Sequence, residues 1–148
     1  MTAAAAQDLM KLYSDRILAL ASGLSHSGRL AAPAGTATKR SPLCGSTVTV
    51  DVAVDGGRVS EFAQDVKACA LGQSSAAVLG AEVIGRTRDE IAAGRDALHA
   101  MLKQGAEAPT GPFAALEALT PARDYKNRHA SIMLAWDATL AAMDAADG

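Results

Sequence analysis

From Thr47 to Val54 the chain alternates in two-residue steps. Val48, Val50, Val52 and Val54 fall on one side, and Thr47, Thr49, Asp51 and Ala53 on the other. That period predicts a half-buried strand. Asp55-Gly56-Gly57 is a hairpin turn signal, and Arg58 to Val66, carrying Val59, Phe62 and Val66, reads as the return strand. So short a loop implies antiparallel pairing. Helical spacing governs most of the rest. Leu9, Leu12, Tyr13, Ile17 and Leu20 recur on one face of a helix from about Ala5 to Ser22, stopped by Gly23. Ser25 to Ser41, rich in Gly, Ser, Thr and Pro, reads as a long loop with a short edge strand near Thr36 to Arg40. A helix from about Gly72 to Gly85 carries small residues that allow close approach to a sheet. Thr87 to Lys103 is a further helix, opened by a capping box of Thr87 and Glu90. After a loop from Gly105 to Gly111, a short helix is expected over Pro112 to Ala118. Thr120-Pro121 then predicts the N-cap and first turn of a last helix reaching about Met143, with Ile132, Met133, Trp136, Leu140 and Met143 on its apolar face.

With 148 residues, one domain over 1–148 is the expectation, and a chain of this size buries about two-thirds of its unfolded surface. Hydrophobic residues make up 49% and charged residues 20%, which excludes a disordered chain. A formal net charge of −2 gives no electrostatic case for nucleic-acid binding. No apolar run approaches the roughly 20 residues of a membrane span. Met1 to Ala6 lacks the basic and apolar regions of a secretory signal, so a cytoplasmic location is expected.

Chemistry concentrates on two cysteines, Cys44 and Cys69, the only ones in the sequence. In a reducing compartment such thiols are free, metal-bound or redox-active more often than joined in a disulfide. Each falls at an element boundary: Cys44 after a Pro-Leu turn and before the valine strand, Cys69 before a helix, where the dipole and free amides lower a thiol pKa. A thiolate binds metals and attacks persulfide sulfur. The alternative is two small core residues, since free cysteine is commonly buried. His129 is a surface or capping residue on composition alone, or a third ligand if its segment folds over the cysteines. His129 and Ser131 cannot both face one site from a regular helix, because two positions are about 200° apart. Arg123, Lys126 and Arg128 read as a solvated basic face, with an acidic partner as the minor alternative.

Ser41-Pro42-Leu43-Cys44-Gly45, the valine strand, the Asp-Gly-Gly hairpin, Cys69-Ala70-Leu71-Gly72-Gln73-Ser74-Ser75-Ala76 and Leu134-Ala135-Trp136-Asp137-Ala138 resemble the iron–sulfur cluster assembly scaffolds (IscU, SufU and the N-terminal domain of NifU). The likeness runs in order from Tyr13 to the last helix. Trp136 and the cysteine spacing look SufU-like. The resemblance implies an α+β fold, a small antiparallel sheet covered on one face by helices. It also implies a platform for a [2Fe–2S] cluster or iron, held transiently, with zinc as an alternative occupant. The implied partners are a cysteine desulfurase and apo-protein cluster acceptors, with neither nucleic acid nor membrane involved. The residues depart from the family pattern. Ser46 stands where the family has Asp, Ala68 where it has Gly, and Ser131 where it has a third cysteine. The ligand set that the resemblance implies is therefore Cys44, Cys69 and His129. On this reading the chain is an assembly scaffold rather than an enzyme. The alternative is a divergent member without a stable cluster, acting as a sulfurtransferase-like relay or a protein-binding module.

Overall fold

The computed structural model describes residues 13–42 and 45–147. The elements run α1 (Asp15–Ser22), β1 (Gly35–Arg40), β2 (Thr47–Asp55), β3 (Arg58–Lys67), α2 (Ala70–Glu82), α3 (Arg88–Gln104), a 3-10 segment (Gly111–Asp124) and α4 (Lys126–Asp147). The part of the expected first helix before Tyr13 lies outside the described residues. Three antiparallel strands form the sheet in the order β1-β2-β3, and α4 packs on β1 and β2. The expected α+β architecture is thus the observed one.

Alternation on β2 does what its pattern predicts: Val48, Val50 and Val52 are buried towards the helices. Opposite them stand Val66, Gln64 and Phe62. The register shifts between Ala53 and Val54, which pair with Glu61 and Val59, so Ser60 is the extra residue of a bulge. That residue lets Val59 and Phe62, three positions apart, both face the core. It explains the weaker periodicity of the return strand. The free edge of β3 is covered by the preceding loop: Gln64 N donates to His26 O, and Gly28 N donates to Gln64 O. On the sheet's other face, buried Asp51 accepts from Arg29 Nε at 2.6 Å, from Thr36 Oγ1 at 2.6 Å and from Leu30 N at 3.0 Å. Those bonds fasten the long loop to the sheet.

α4 is buried on nearly every side, between the sheet and α2, α3 and the 3-10 segment. Such enclosure requires apolar or small residues all round, not a single apolar stripe. Gly35 of β1 lies so close to α4 that an added Cβ would clash with the Ala142 and Ala146 backbone. Trp136 is fully buried, donates from Nε1 to Ser75 Oγ at 2.9 Å and meets Phe113 edge-to-face.

The path into α4 differs from expectation. Thr120 and Pro121 do not open the last helix. They lie inside the 3-10 segment, where the Thr120 hydroxyl donates to Glu117 O instead of accepting from an amide ahead. Tyr125, at φ −112° and ψ 72°, breaks the chain there, and α4 begins at Lys126. The capping box on α3 forms as expected: Glu90 N donates to Thr87 Oγ1, and Thr87 N donates to Glu90 Oε1.

Candidate functional site

The site lies where β3 runs into α2, beside the first turns of α4. Cys69 is the N-cap of α2, with extended backbone at φ −67° and ψ 172°. Two residues after β3 ends, the chain turns from strand to helix, and the thiol stands at the mouth of the helix amides. Gln73 holds this turn from both sides: its amide donates to Cys69 O and its Nε2 to Ala68 O, each at 2.9 Å. Gly72 makes close packing possible, since a Cβ there would sit 2.8 Å from both Ser131 Oγ and Ala68 Cβ. Only a residue without a side chain brings the start of α2 so near α4.

Three side chains from distant parts of the sequence meet here. The hydroxyls of Ser46 and Ser131 hydrogen-bond each other at 2.9 Å, and Cys69 Sγ lies 3.8 Å from Ser131 Oγ. Ser46 and Ser131 are buried, whereas Cys69 is half-buried. The loop that enters β2 is pinned at its ends, with Ser41 N donating to Ser46 O and Gly45 N donating to Ser41 O. Cys44 belongs to that loop and lies outside the described residues.

Burial pushes the Cys69 thiol up, but stabilisation of its anion outweighs this. The Gly72 amide, the Ser131 hydroxyl, the Leu71 amide and the positive charge of Arg128 together hold its pKa below the usual thiol value. The result is a partly accessible thiol that gives up its proton more readily than an ordinary one.

The structure does not bring His129 to this thiol. Its Nε2 donates to the Ala122 carbonyl at 2.8 Å, and the ring is buried against the 3-10 segment. Ser131 instead contacts Cys69, as expected if the two residues occupy different faces of one helix. Burial lowers the His129 pKa, as do Lys103 and Lys126, while the Ala122 carbonyl partly opposes them. With Nε2 as donor, the neutral ring leaves Nδ1 unprotonated, and that atom has no partner among the described residues. No group of three or more His, Cys, Asp or Glu gathers as a metal cage among the described residues. Of the expected basic face, Arg123 is half-buried, and its guanidinium donates to the Met101 and Ala106 carbonyls at the end of α3. Sequence reading also missed the Ser46–Ser131 bond and the effect of Arg128 on Cys69, for which local sequence carries no signal.

Solved structures resemble this chain closely. A nitrogen-fixing NifU-like protein (N-terminal) from Brucella abortus shares 46% identity over 95% of this chain and 97% of its own, with a TM-score of 0.91. The chain belongs to the IscU/SufU/NifU family. A Fervidobacterium islandicum protein assigned as an iron–sulfur cluster assembly scaffold for the SUF system superposes with a TM-score of 0.81, covering 90% of this chain and 98% of its own. At 20% identity that likeness shows the fold. No protein-family profile and no curated protein matches the chain. Among the described residues, no helix of this family member is long and apolar enough to cross a membrane.

Proposed function

We propose that this protein is an iron–sulfur cluster assembly scaffold that receives its cargo on Cys69 and Cys44. The carrying observation is Cys69: a half-buried thiol at a helix N-cap, with its pKa held below the usual thiol value, in a fold shared with a 46% identical NifU-like protein. Ser46, two residues after Cys44, stands 2.9 Å from the hydroxyl that contacts Cys69. That sequence adjacency to Ser46, together with the family resemblance, supports reading the site as shared by both cysteines. The cargo is iron or a [2Fe–2S] cluster, and zinc suits the same thiolates. Two thiolates leave positions on either metal to be filled by water or by a partner's donor. The partners are a cysteine desulfurase and apo-protein acceptors, in a reducing, cytoplasmic setting. The protein acts as an assembly factor, not a turnover enzyme.

A second reading, sulfur relay, is favoured by the serine pair. Ser46 and Ser131 are protonated hydroxyls bonded to each other, and among the described residues Cys69 has no carboxylate or imidazole hydrogen-bonded to it. A single thiolate suffices to take sulfur. Cys69 attacks the outer sulfur of a donor persulfide, the donor S–S bond breaks as the new one forms, and the donor cysteine leaves as thiolate. The sulfur moves with no external oxidant or reductant.

Anaerobic reconstitution with iron, sulfide and a cysteine desulfurase separates the readings. A scaffold shows visible absorption and stoichiometric iron, both lost in Cys44→Ala and in Cys69→Ala. A relay shows no chromophore but a trappable persulfide on a cysteine. Neither signal in the wild-type protein rules out both.

A further inference from the structure

Unpaired positive charge is unevenly placed on this molecule. Arg16, Arg29, Arg58, Arg86, Arg88 and Arg95 each lie against a carboxylate, and Arg123 against two carbonyls. Arg40 and Arg128 have no such partner among the described residues, and both sit at the Cys69 end. Arg40 pairs with Thr47 across β1–β2, and Thr47 pairs with Lys67 across β2–β3, so one row at the end of the sheet carries both cations. Lys67 is two residues before Cys69 and has no ion-pair partner among the described residues. Arg128, half-buried on α4, acts on Cys69 from the other side. Arg40 and Lys67 are exposed. Of the strand acids without an ion-pair partner among the described residues, Asp55 and Glu61 lie around the hairpin at the opposite end of the sheet, and Asp65 lies two residues before Lys67. A chain of net charge −2 thus carries three cations without ion-pair partners at the end that holds Cys69, Arg40 and Lys67 on the sheet and Arg128 on α4.

We infer that Arg40, Lys67 and Arg128 form a cationic collar that docks an acidic surface of the protein that hands sulfur to Cys69. The inference rests on the sulfur-accepting role proposed above and names the partner's surface. Charge complementarity selects the occupant, because clustered unpaired cations raise the rate of encounter with an acidic surface and repel a basic one. The collar also suits the chemistry. As Cys69 thiolate attacks the outer sulfur of a cysteine persulfide, negative charge spreads over three sulfurs in line while the donor thiolate departs. Neighbouring cations lower the repulsion in that arrangement.

The test uses the full chain and two synthetic donors. One peptide carries a cysteine persulfide flanked by glutamates, and the other carries it flanked by lysines. Persulfide on Cys69 is located by alkylation and mass spectrometry, and the ratio of the two initial rates is the readout. Expected at low salt is a preference for the acidic donor of roughly tenfold or more, fading as ionic strength rises. The triple variant Arg40→Gln, Lys67→Gln, Arg128→Gln should abolish the preference. The triple Arg16→Gln, Arg58→Gln, Arg88→Gln, with the same change in net charge elsewhere, should keep it. Using a ratio removes any effect of Arg128 on the thiol itself, and circular dichroism checks that each variant is folded. Equal rates from both donors, or a preference lost equally in the two triples, overturns the collar while sulfur acceptance stands. Transfer from neither donor overturns sulfur acceptance and the collar with it.

Discussion

Ser46 and Ser131, 85 residues apart in sequence, share a buried hydrogen bond of 2.9 Å that ties the loop before β2 to α4 directly beside Cys69. Replacing Ser131 by Ala removes the bond and leaves the Ser46 hydroxyl buried beside a methyl group. Leaving a buried hydroxyl unpaired costs about 1–3 kcal/mol. Ser131→Ala should therefore lower the urea midpoint by a corresponding amount. Ser46→Ala with Ser131→Ala together should lose less than the sum of the single variants, because no orphaned hydroxyl remains. Simple additivity in this cycle would mean that the bond contributes nothing.

Reactivity of Cys69 should follow its depressed pKa. In the Cys44→Ser background, the alkylation rate rises with pH as thiolate forms and levels off above the pKa. The midpoint is expected below the ordinary thiol value of about 8.5. Arg128→Gln and Ser131→Ala each remove an influence that stabilises the anion, so both should move the midpoint up. A midpoint unmoved by either change would mean that the helix amides alone set the thiol's acidity.

What could be read in the sequence was local. The valine alternation, the Asp-Gly-Gly turn and the Thr87–Glu90 box depend on neighbours within a few residues, and they appear in the structure as expected. The Ser60 bulge gave only a weakened period, since an extra residue has no signature of its own. Thr120-Pro121 resembled a helix start because proline suits a first turn. The break at Tyr125 depends instead on packing of the 3-10 segment against α2 and α3. At the site, Cys69 was legible as a thiol before a helix, and Ser46 and Ser131 as substituted ligand positions. That those serines bond each other, that Arg123 folds onto carbonyls and that His129 faces Ala122 are contacts set by the packing of α4. They lie beyond any local pattern.

Asp51 should make the fold sensitive to acid. The Arg29 guanidinium lowers its pKa most, burial opposes this, and the Thr36 hydroxyl and Leu30 amide add to the lowering. A carboxyl whose folded pKa is depressed contributes stability that is fully present above its unfolded value of about 3.9. That contribution is lost as pH falls through the folded value. Unfolding free energy should therefore decline with acid below about pH 4, and Asp51→Asn should flatten that limb. At neutral pH the same change weakens the bonds to Arg29 and disturbs those to Thr36 and Leu30, a loss of roughly 1–3 kcal/mol. An acid limb of equal slope in Asp51→Asn would assign the decline to other carboxylates.

His129 separates a ligand from a structural residue. The ring is buried and its Nε2 bonds the Ala122 carbonyl, so it fixes the 3-10 segment to the first turns of α4. His129→Phe keeps the ring volume but leaves that carbonyl without its donor, which costs about 1–3 kcal/mol. It should lower stability while leaving the Cys69 alkylation midpoint in place, because the residues acting on that thiol are Leu71, Gly72, Arg128 and Ser131. Zinc titration then supplies the decisive reading. If metal is held by the cysteines without His129, the affinity of folded His129→Phe matches the wild type. If the imidazole turns from Ala122 to the metal, affinity falls at least as far as a lost ligand requires. Metal would then also compete with the Ala122 bond and weaken the fold around Tyr125. Stability that is unchanged in His129→Phe, with affinity lost, would therefore make the histidine a ligand and leave its bond to Ala122 without structural weight.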